Sequence, residues 1–380
     1  MTIKLLKHKY PNLRCIVIVP TETLKSQWEE LLVSNDIVFN CEVHIINSFV
    51  KDRWKCDLLV LDECHRYASD TFRQIFTCVK YKYILGLTAT LERLDGKDEI
   101  IRKYCPICDT VGVEECLLNN WVSEYDEYLV LLDVDDLDTY KVYNRQFSEA
   151  FGFFSYDFNL AMSCIGANGF KTRAALAKQM TSKESDRKEM LKKITYYSMQ
   201  FIRSIQQRKA FINNHPKKIE VARRILEHYS DRKVITFSNN VKMAEALEHG
   251  QNVYTGKTSK KKGRILIEDF NKLSTGTLHT CAKANEGLDV KGLSVAIILG
   301  LDSSSIKATQ RRGRVIRWAP DKKALIFNLV LNNTVETEWF LKSHKDSKYT
   351  VIKESELNAI FNGEQPKVYS GNINRYTFRF

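Results

Sequence analysis

The chain has 380 residues, of which 58 are Lys or Arg and 46 are Asp or Glu, giving a formal net charge of +12. That length exceeds the roughly 100 to 200 residues of a typical domain, which predicts two or three domains and excludes a mini-protein. The composition, with 44% apolar and 27% charged residues, excludes wholesale disorder, and the positive excess suits either a polyanionic partner or simple solubility.

The cysteines and the N-terminus indicate the compartment. Ten cysteines lie scattered along the chain without the dense pairing of a secreted disulfide scaffold, so a reducing environment is expected. Residues 1–10 alternate lysine with apolar residues and carry no export signal. No apolar run reaches the roughly 18 to 20 residues that span a bilayer. We therefore expect a cytoplasmic protein, in the host cytoplasm if the chain is viral, with no membrane partner.

The first predicted unit, residues 1–110, alternates short apolar runs with helical patterns, which is typical of a parallel sheet covered on both faces. Its first strand, at 15–19, is stopped by Pro20, and the helix that follows can begin at Thr21 or Thr23 as the cap. Further strands are predicted at 43–46, 58–61 and 83–87.

The rest of the chain is predicted to hold a second α/β domain. Residues 111–225 contain few β-branched runs and are predicted to be a mostly helical connecting region. The β/α alternation resumes over 226–345, and the tail, 346–380, gives no clear element. Strands of the second domain are expected at 234–237, 277–280, 295–299 and 324–328, and helices at 241–248 and 264–271.

The segment from Leu58 to His65 is the most informative, because an apolar strand delivers Asp62 and Glu63 at its carboxyl end. Ligands bind at that end in open parallel sheets. One carboxylate is suited to hold Mg²⁺, and its neighbour is suited to orient a water for attack on a γ-phosphate. For this segment alone, a helix-capping Asp-Glu pair is the alternative.

Two more segments carry polar groups suited to the same chemistry. Another apolar strand ends in Thr88 and Thr90. Their hydroxyls are suited to hydrogen-bond the loop that carries Asp62 and Glu63 and so relay the state of the nucleotide, and an ordinary threonine cap at the end of the strand is the alternative. In segment 310–317, Arg314 and Arg317 lie three residues apart, so we expect both to point from one helix face. They suit a polyphosphate, and a solvated basic helix is the alternative.

In this order, the segments resemble the motifs of the superfamily 2 helicases and translocases, in the DECH-box form of the DEAD/DEAH type. The matching segments are Val19-Pro20-Thr21 with Leu24, Gln27 and Trp28 (motif Ia), Asp62-Glu63-Cys64-His65 (II), Thr88-Ala89-Thr90 (III), Ile235-Thr-Phe-Ser238 (IV), Asn285-Glu-Gly-Leu-Asp289 after Thr280 (V) and Gln310-x-x-Gly313-Arg314-x-x-Arg317 (VI). Trp28, the Glu-Gly-Leu-Asp form and the segment 112–125 make the chain most similar to DNA translocases. These are phage branched-DNA helicases, the nucleotide-excision repair type and restriction-enzyme motor subunits.

The resemblance implies an α/β fold of two RecA-like parallel-sheet domains, the first N-terminally truncated, with ATP between them and a nucleic-acid strand across both. The implied catalytic residues are Asp62, which would hold Mg²⁺, Glu63, which would position water, His65, Gln310, and the arginine fingers Arg314 and Arg317. Four residues are implied to couple the state of the bound nucleotide to the binding of the nucleic-acid strand. They are Thr88, Thr90, Gly287 and Asp289. The implied nucleic-acid contacts are Pro20, Thr21, Gln27, Ser238 and Thr280.

The chain departs from the family at its first motif, the Walker A phosphate loop, which should end in Gly-Lys-Ser/Thr ahead of Pro20. Residues 1–10 look instead like the helix that directly follows such a loop. The sequence Gly256-Lys257-Thr258 is not a replacement, because five residues rather than four separate it from Gly250 and the motif order places it in the second domain.

Two remaining groups of residues favour structural roles. Cys105 and Cys108 form a lone CxxC near Cys116, without the second pair that a zinc finger needs. Aromatic side chains between 140 and 154 suit base stacking, but core packing is favoured.

Three hypotheses follow from these residues. The leading one is an ATP-dependent DNA helicase or translocase acting in replication, recombination or repair, because a pure binding module has no need of the Asp-Glu and arginine pairs. The second is a catalytically incomplete nucleic-acid-binding remnant. The third is one half of a split helicase, whose separate partner polypeptide carries the Walker A segment. DNA is the expected track, with RNA kept as the alternative.

Overall fold

A computed structural model of the chain describes residues 2–38, 40–93, 95–166, 168–247, 252–281, 290–345, 347–371 and 373. Its strands are β1 (Cys15–Val19), β2 (Cys41–Ile45), β3 (Trp54–Lys55), β4 (Leu58–Asp62), β5 (Val79–Lys80), β6 (Tyr83–Leu87), β7 (Glu124–Leu132), β8 (Lys233–Ser238), β9 (Val253–Tyr254), β10 (Gly276–Cys281), β11 (Val295–Ile298), β12 (Lys323–Leu331) and β13 (Thr350–Lys353). Its α-helices are α1 (Thr2–Lys9), α2 (Glu22–Ser34), α3 (Ile46–Phe49), α4 (Ile75–Cys78), α5 (Asp98–Tyr104), α6 (Val113–Leu118), α7 (Leu137–Phe153), α8 (Phe158–Ser163), α9 (Gly169–Met180), α10 (Glu184–Asn214), α11 (Pro216–His228), α12 (Val241–Leu247), α13 (Lys260–Lys272), α14 (Ser305–Val315), α15 (Val335–Ser343) and α16 (Leu357–Phe361).

The first domain is built on a parallel sheet with the strand order β2-β1-β4-β6. Every residue of β1 is buried, and its alternate residues enter two separate apolar clusters, as expected for a parallel strand covered on both faces. The strands predicted at 15–19 and 83–87 are confirmed. At the edge of the sheet, β6 is less covered, with Tyr83 60% and Leu87 37% exposed.

The second domain is built on a seven-stranded parallel sheet with the order β13-β7-β12-β11-β8-β10-β9. Its strands β8, β10, β11 and β12 lie where the sequence predicts them, with boundaries that differ by at most three residues. The two domains therefore confirm the predicted α/β class with two parallel sheets.

The position of β7 corrects the predicted domain boundary at 226. This strand precedes the helical region but pairs along its whole length with β12 and, on its other side, with β13. The helices α7 to α10 are therefore inserted within the second domain rather than placed between two sheets. The tail predicted at 346–380 also contributes, because β13 forms one edge of the sheet.

A buried polar cluster joins β7 to the helix α14. The Arg312 Nε–H donates to Glu127 Oε2 at 2.7 Å, and Glu127 Oε1 lies 3.1 Å from Asn328 Nδ2 and 3.2 Å from His344 Nε2. Burial alone would raise the pKa of Glu127, but the hydrogen bond with His344 and the charge of Arg312 hold it below its ordinary value. The cluster fixes α14 against the sheet. Within the described residues, none of the helices combines the length and apolar character needed to cross a membrane.

Candidate active site

The site begins where β4 ends and Asp62 leaves the sheet. The indole Nε1–H of Trp28, on α2, donates to Asp62 Oδ2 at 2.8 Å, and the Glu63 backbone N–H donates to Asp62 Oδ1 at 3.0 Å. Each carboxylate oxygen accepts one of these hydrogen bonds and keeps lone-pair capacity for a hard cation. Because Mg²⁺ is usually held by one or two carboxylates together with substrate phosphates, Asp62 fits as its protein ligand.

Glu63 turns the chain from the sheet toward the second domain. It adopts a left-handed backbone conformation, with φ 50° and ψ 49°, which is uncommon for a non-glycine residue and costs on the order of 1 to 3 kcal/mol. Its Oε1 accepts a hydrogen bond of 3.4 Å from Gln310 Nε2 of α14. A residue at the end of the first sheet thus meets a residue of the second domain that lies 247 positions later in the chain.

His65 connects Glu63 to the end of β6. Its Nδ1 lies 3.0 Å from Thr88 Oγ1 and 3.4 Å from Glu63 Oε2. Thr88 Oγ1 in turn donates to the Thr90 carbonyl at 2.8 Å, and Arg93 Nη1 donates to the His65 carbonyl at 2.9 Å. The predicted motif II and motif III residues are therefore brought together in one hydrogen-bonded chain.

Close packing accompanies this contact. A Cβ on Gly86 would lie only 3.1 Å from Cys64 Sγ, so the absence of a side chain at Gly86 lets the loop after β4 approach β6. Burial raises the pKa of the Cys64 thiol to about 12, which keeps it protonated near neutral pH. Cys64 therefore packs against Gly86 as a buried thiol.

The helix α14 carries only part of the predicted arginine pair. Arg314 lies four residues after Gln310 and so shares its helix face. The helix ends at Val315, and Arg317 lies beyond it, in an isolated antiparallel bridge with Val122. The expectation that both arginines project from one helix face is wrong, because the chain leaves the helix to pair with the segment entering β7.

The residues predicted to contact nucleic acid occupy different environments. Pro20 is buried, and Thr21 caps α2 by accepting the Leu24 N–H at 3.3 Å. The Ser238 hydroxyl donates to the Thr280 carbonyl at 3.1 Å, and the Thr280 hydroxyl donates to the Thr236 carbonyl at 2.7 Å. Because Ser238 and Thr280 are both buried, their side chains join strand ends rather than face solvent. Gln27 is half-buried on α2.

Two predictions concern loops. Gly287 and Asp289 lie outside the described residues, as do the rest of the segment 285–289 and Gly250. Gly256, Lys257 and Thr258 follow β9 at the edge of the second sheet, as the motif order predicts. The Lys257 N–H donates to Thr255 Oγ1 at 3.2 Å, and the Thr258 N–H donates to the Thr255 carbonyl at 3.0 Å. These amides therefore close a local turn and do not point at a ligand.

Sequence reasoning missed three contributors to the site. Trp28 belongs to the predicted motif Ia and Arg93 follows motif III, but their partners at the site, Asp62 and the His65 carbonyl, are fixed only by the fold. Arg312 lies in the same basic segment as Arg314 and Arg317, but it is only 6% exposed and anchors α14 through Glu127. In the described part of the chain, no three His, Cys, Asp or Glu side chains converge as a metal cluster.

Two protein-family models match segments of the chain that contain these residues. The helicase conserved C-terminal domain matches residues 217–319, which contain Gln310, Arg314 and Arg317. The type III restriction enzyme, res subunit, matches residues 34–93, which contain Asp62 and Glu63.

Individual relatives match across most of the chain. It is 24% identical over 349 residues to the DNA 3'-5' translocase XPB2 of Sulfurisphaera tokodaii, covering 84% of this chain and 73% of that protein. It is 25% identical over 316 residues to putative helicase 22 of Sulfolobus islandicus filamentous virus, covering 80% of this chain and 46% of the viral protein. The chain thus spans about half the length of the viral relative.

The fold is similar to that of S. cerevisiae Dbp5 bound to RNA and ADP BeF3, with a TM-score of 0.56 and 11% identity. The match covers 94% of this chain and 83% of that one. At this identity the likeness concerns the fold alone, and the fold is that of RecA-like helicase domains.

Proposed function

We propose that the chain is a superfamily 2 helicase or translocase, which couples ATP hydrolysis to movement along DNA or to separation of its strands. The proposal of DNA as the track is supported by the name of the archaeal relative, a DNA 3'-5' translocase. RNA is the alternative track, and the assay below includes it.

The observation that carries the proposal is the contact between Glu63 and Gln310. A carboxylate that positions water must be held in place, and here an amide from the second domain holds it at 3.4 Å. Because the two residues come from different domains, the relative position of the domains controls the orientation of Glu63. A motor needs such a contact if its rate of ATP hydrolysis is to depend on the relative position of its two domains.

The roles of the side chains follow from these contacts. Asp62, oriented by Trp28, would hold Mg²⁺, which neutralises charge on the phosphates when bound. Glu63 would accept the proton of the attacking water, and Arg314, on the Gln310 face of α14, would stabilise the charge that develops on the transferred phosphoryl group. Arg317 would approach from the bridge beside β7.

The test is steady-state ATP hydrolysis by the 380-residue chain, alone and with single-stranded DNA, branched DNA or RNA. Glu63→Gln removes the proton acceptor while keeping the shape of the side chain. A matched control, Glu29→Gln, removes an exposed carboxylate of α2 that lies 3.8 Å from Lys25. DNA-stimulated hydrolysis that is lost only in Glu63→Gln supports the proposal, and equal hydrolysis by Glu63→Gln and the wild type contradicts it.

A second candidate function is one half of a split motor, in which the phosphate loop comes from another polypeptide. The open edge of β6 favours it. In the described part of the chain β6 pairs only with β4, although its sequence, Tyr-Ile-Leu-Gly-Leu, is as apolar as that of an internal strand. A parallel strand added there would end beside Thr88, next to Glu63.

This candidate has its own test. A reading frame that encodes Gly-x-Gly-Lys-Ser/Thr immediately before the Met1 codon, or in a neighbouring frame, would supply a strand and a phosphate loop for this edge. Its co-expression should bring hydrolysis to a chain that binds DNA but has no turnover alone. Turnover by the 380-residue chain alone would exclude the split arrangement.

A further inference from the structure

The inserted helices hold a large share of the positive charge of the chain. Residues 137–214, from the start of α7 to the end of α10, contain 13 Lys or Arg and 6 Asp or Glu. Their net charge of +7 is more than half of the +12 of the whole chain, although they are about one-fifth of its length. None of the predicted motifs lies within this region, so the proposed motor machinery leaves its charge unexplained.

The helix α10 has one buried and one exposed side. Its buried residues Ile194, Ser198, Phe201 and Ile212 recur at helical spacing, and three of them pack in apolar cores that include residues of α7. The opposite side is open to solvent. Since 31 residues at about 1.5 Å each extend over roughly 46 Å, α10 presents a long surface.

Five residues of the exposed side form one continuous stripe, which we call the α10 stripe. They are Lys188, Lys192, Tyr196, Met199 and Arg203, spaced by four, four, three and four residues. All five are exposed, with Tyr196 at 64% and Met199 at 49%. From Lys188 to Arg203 the stripe is about 22 Å long, which corresponds to roughly six stacked nucleotides of one strand at about 3.4 Å each.

The charges of the α10 stripe are not neutralised by the helix itself. The acidic residues of α10 all lie in its first six positions, and two of them pair off the stripe, Glu184 with Arg187 and Glu189 with Lys193. Among the described residues, Lys188, Lys192 and Arg203 form no ion pair. A merely solvated helix face usually mixes both signs of charge, and it has no need of an exposed aromatic ring between its cations.

We propose that the α10 stripe binds a nucleic-acid strand, with phosphates on Lys188, Lys192 and Arg203 and an unpaired base on Tyr196. The inference rests on the proposed function and adds to it a grip on the strand outside the motif residues. Cations spaced along about 22 Å follow a phosphate backbone, and a tyrosine between them stacks on a base without regard to its identity. The stripe thus favours single-stranded or splayed DNA.

The test is the salt dependence of DNA binding, measured by fluorescence anisotropy on the full chain. The variant replaces Lys188, Lys192 and Arg203 together by Gln. The matched control removes three exposed lysines elsewhere, Lys80, Lys103 and Lys242, so the net charge of the two variants is equal. Circular dichroism spectra equal to that of the wild type show that both variants fold.

The stripe variant should lower the slope of log affinity against log salt by about 2 for a single strand, because each lost phosphate contact removes about 0.7. The control variant should lower the slope of log affinity against log salt by less than about 1. Tyr196→Ala should weaken binding to a single strand by about tenfold and leave binding to blunt duplex unchanged.

The outcomes separate the inference from the proposed function. Equal slopes for the stripe variant and the control overturn the inference, while DNA-stimulated hydrolysis lost in Glu63→Gln still supports the motor. A wild-type chain that binds no nucleic acid overturns both. Equal losses on single strand and duplex in Tyr196→Ala overturn the stacking role.

Discussion

Arg312→Met should destabilise the second domain strongly, because it leaves the carboxylate of Glu127 buried without its guanidinium. Arg312 is 6% exposed and Glu127 is 4% exposed, and the two are joined at 2.7 Å. Removing one partner of a buried pair costs about 3 to 5 kcal/mol. Since Asn328 and His344 still contact Glu127, we expect the lower end, about 3 kcal/mol.

Calorimetry of the full chain measures the effect. For a domain of this size, about 3 kcal/mol corresponds to a fall of roughly 6 to 12 °C in the melting temperature. Arg102→Met provides the matched control, because Arg102 and Asp98 form an exposed pair on α5 at 3.1 Å. Such a surface pair is worth no more than about 1 kcal/mol.

A double variant identifies the cause. Glu127→Gln in the Arg312→Met background removes the stranded charge and should restore about 1 to 2 kcal/mol of the lost stability. The reasoning is refuted if Arg312→Met costs no more than Arg102→Met. It is also refuted if the double variant is less stable than Arg312→Met, because the loss would then come from packing and not from the buried charge.

Three further predictions concern pH and the site. The folded pKa of Glu127 is held below its ordinary 4.5, so its contribution to stability is present above that pH and is lost as the pH falls through the folded pKa. The free energy of unfolding, measured by urea titration at several pH values, should show this loss in the wild type and should depend less on pH in Glu127→Gln. Trp28→Phe removes the N–H that orients Asp62, and titration should show that more Mg²⁺ is needed for half-maximal ATP hydrolysis, with DNA affinity unchanged. Gln310→Ala should lower DNA-stimulated hydrolysis about tenfold while DNA binding without nucleotide stays equal, and an unchanged stimulation would contradict the interdomain role of Gln310.

The sequence predicts the strands whose signal is local. β1 and β6 are apolar runs bounded by turn residues, so composition alone finds them. β7 begins with Glu124, Tyr125, Asp126 and Glu127, and the three carboxylates hide its apolar second half. Its partners β12 and β13 lie more than 190 residues further along the chain, and no local pattern records such pairing.

The residues of the candidate site likewise divide into those with a local sequence signal and those placed by distant contacts. Asp62, Glu63, His65 and the two threonines could be located because each follows an apolar strand, and carboxyl ends of parallel strands meet at one edge. Arg317 was misplaced because the end of α14 is set by pairing with Val122, nearly 200 residues earlier. The burial of Arg312 likewise depends on Glu127 of β7, and a basic run in sequence looks the same whether it is buried or solvated.

The location of β7 has a consequence for the synthesis of the protein. β7 is made early, but the strands on both of its sides, β12 and β13, are made about 200 residues later. At roughly 5 to 20 residues per second, its last six residues, all buried in the final sheet, wait about 10 to 40 s for their partners. During that time the helical insertion can fold on local contacts, whereas β7 offers two unpaired apolar edges. The sheet of the second domain is therefore completed only after its C-terminal strands have left the ribosome, and β7 lacks both of its neighbours until then.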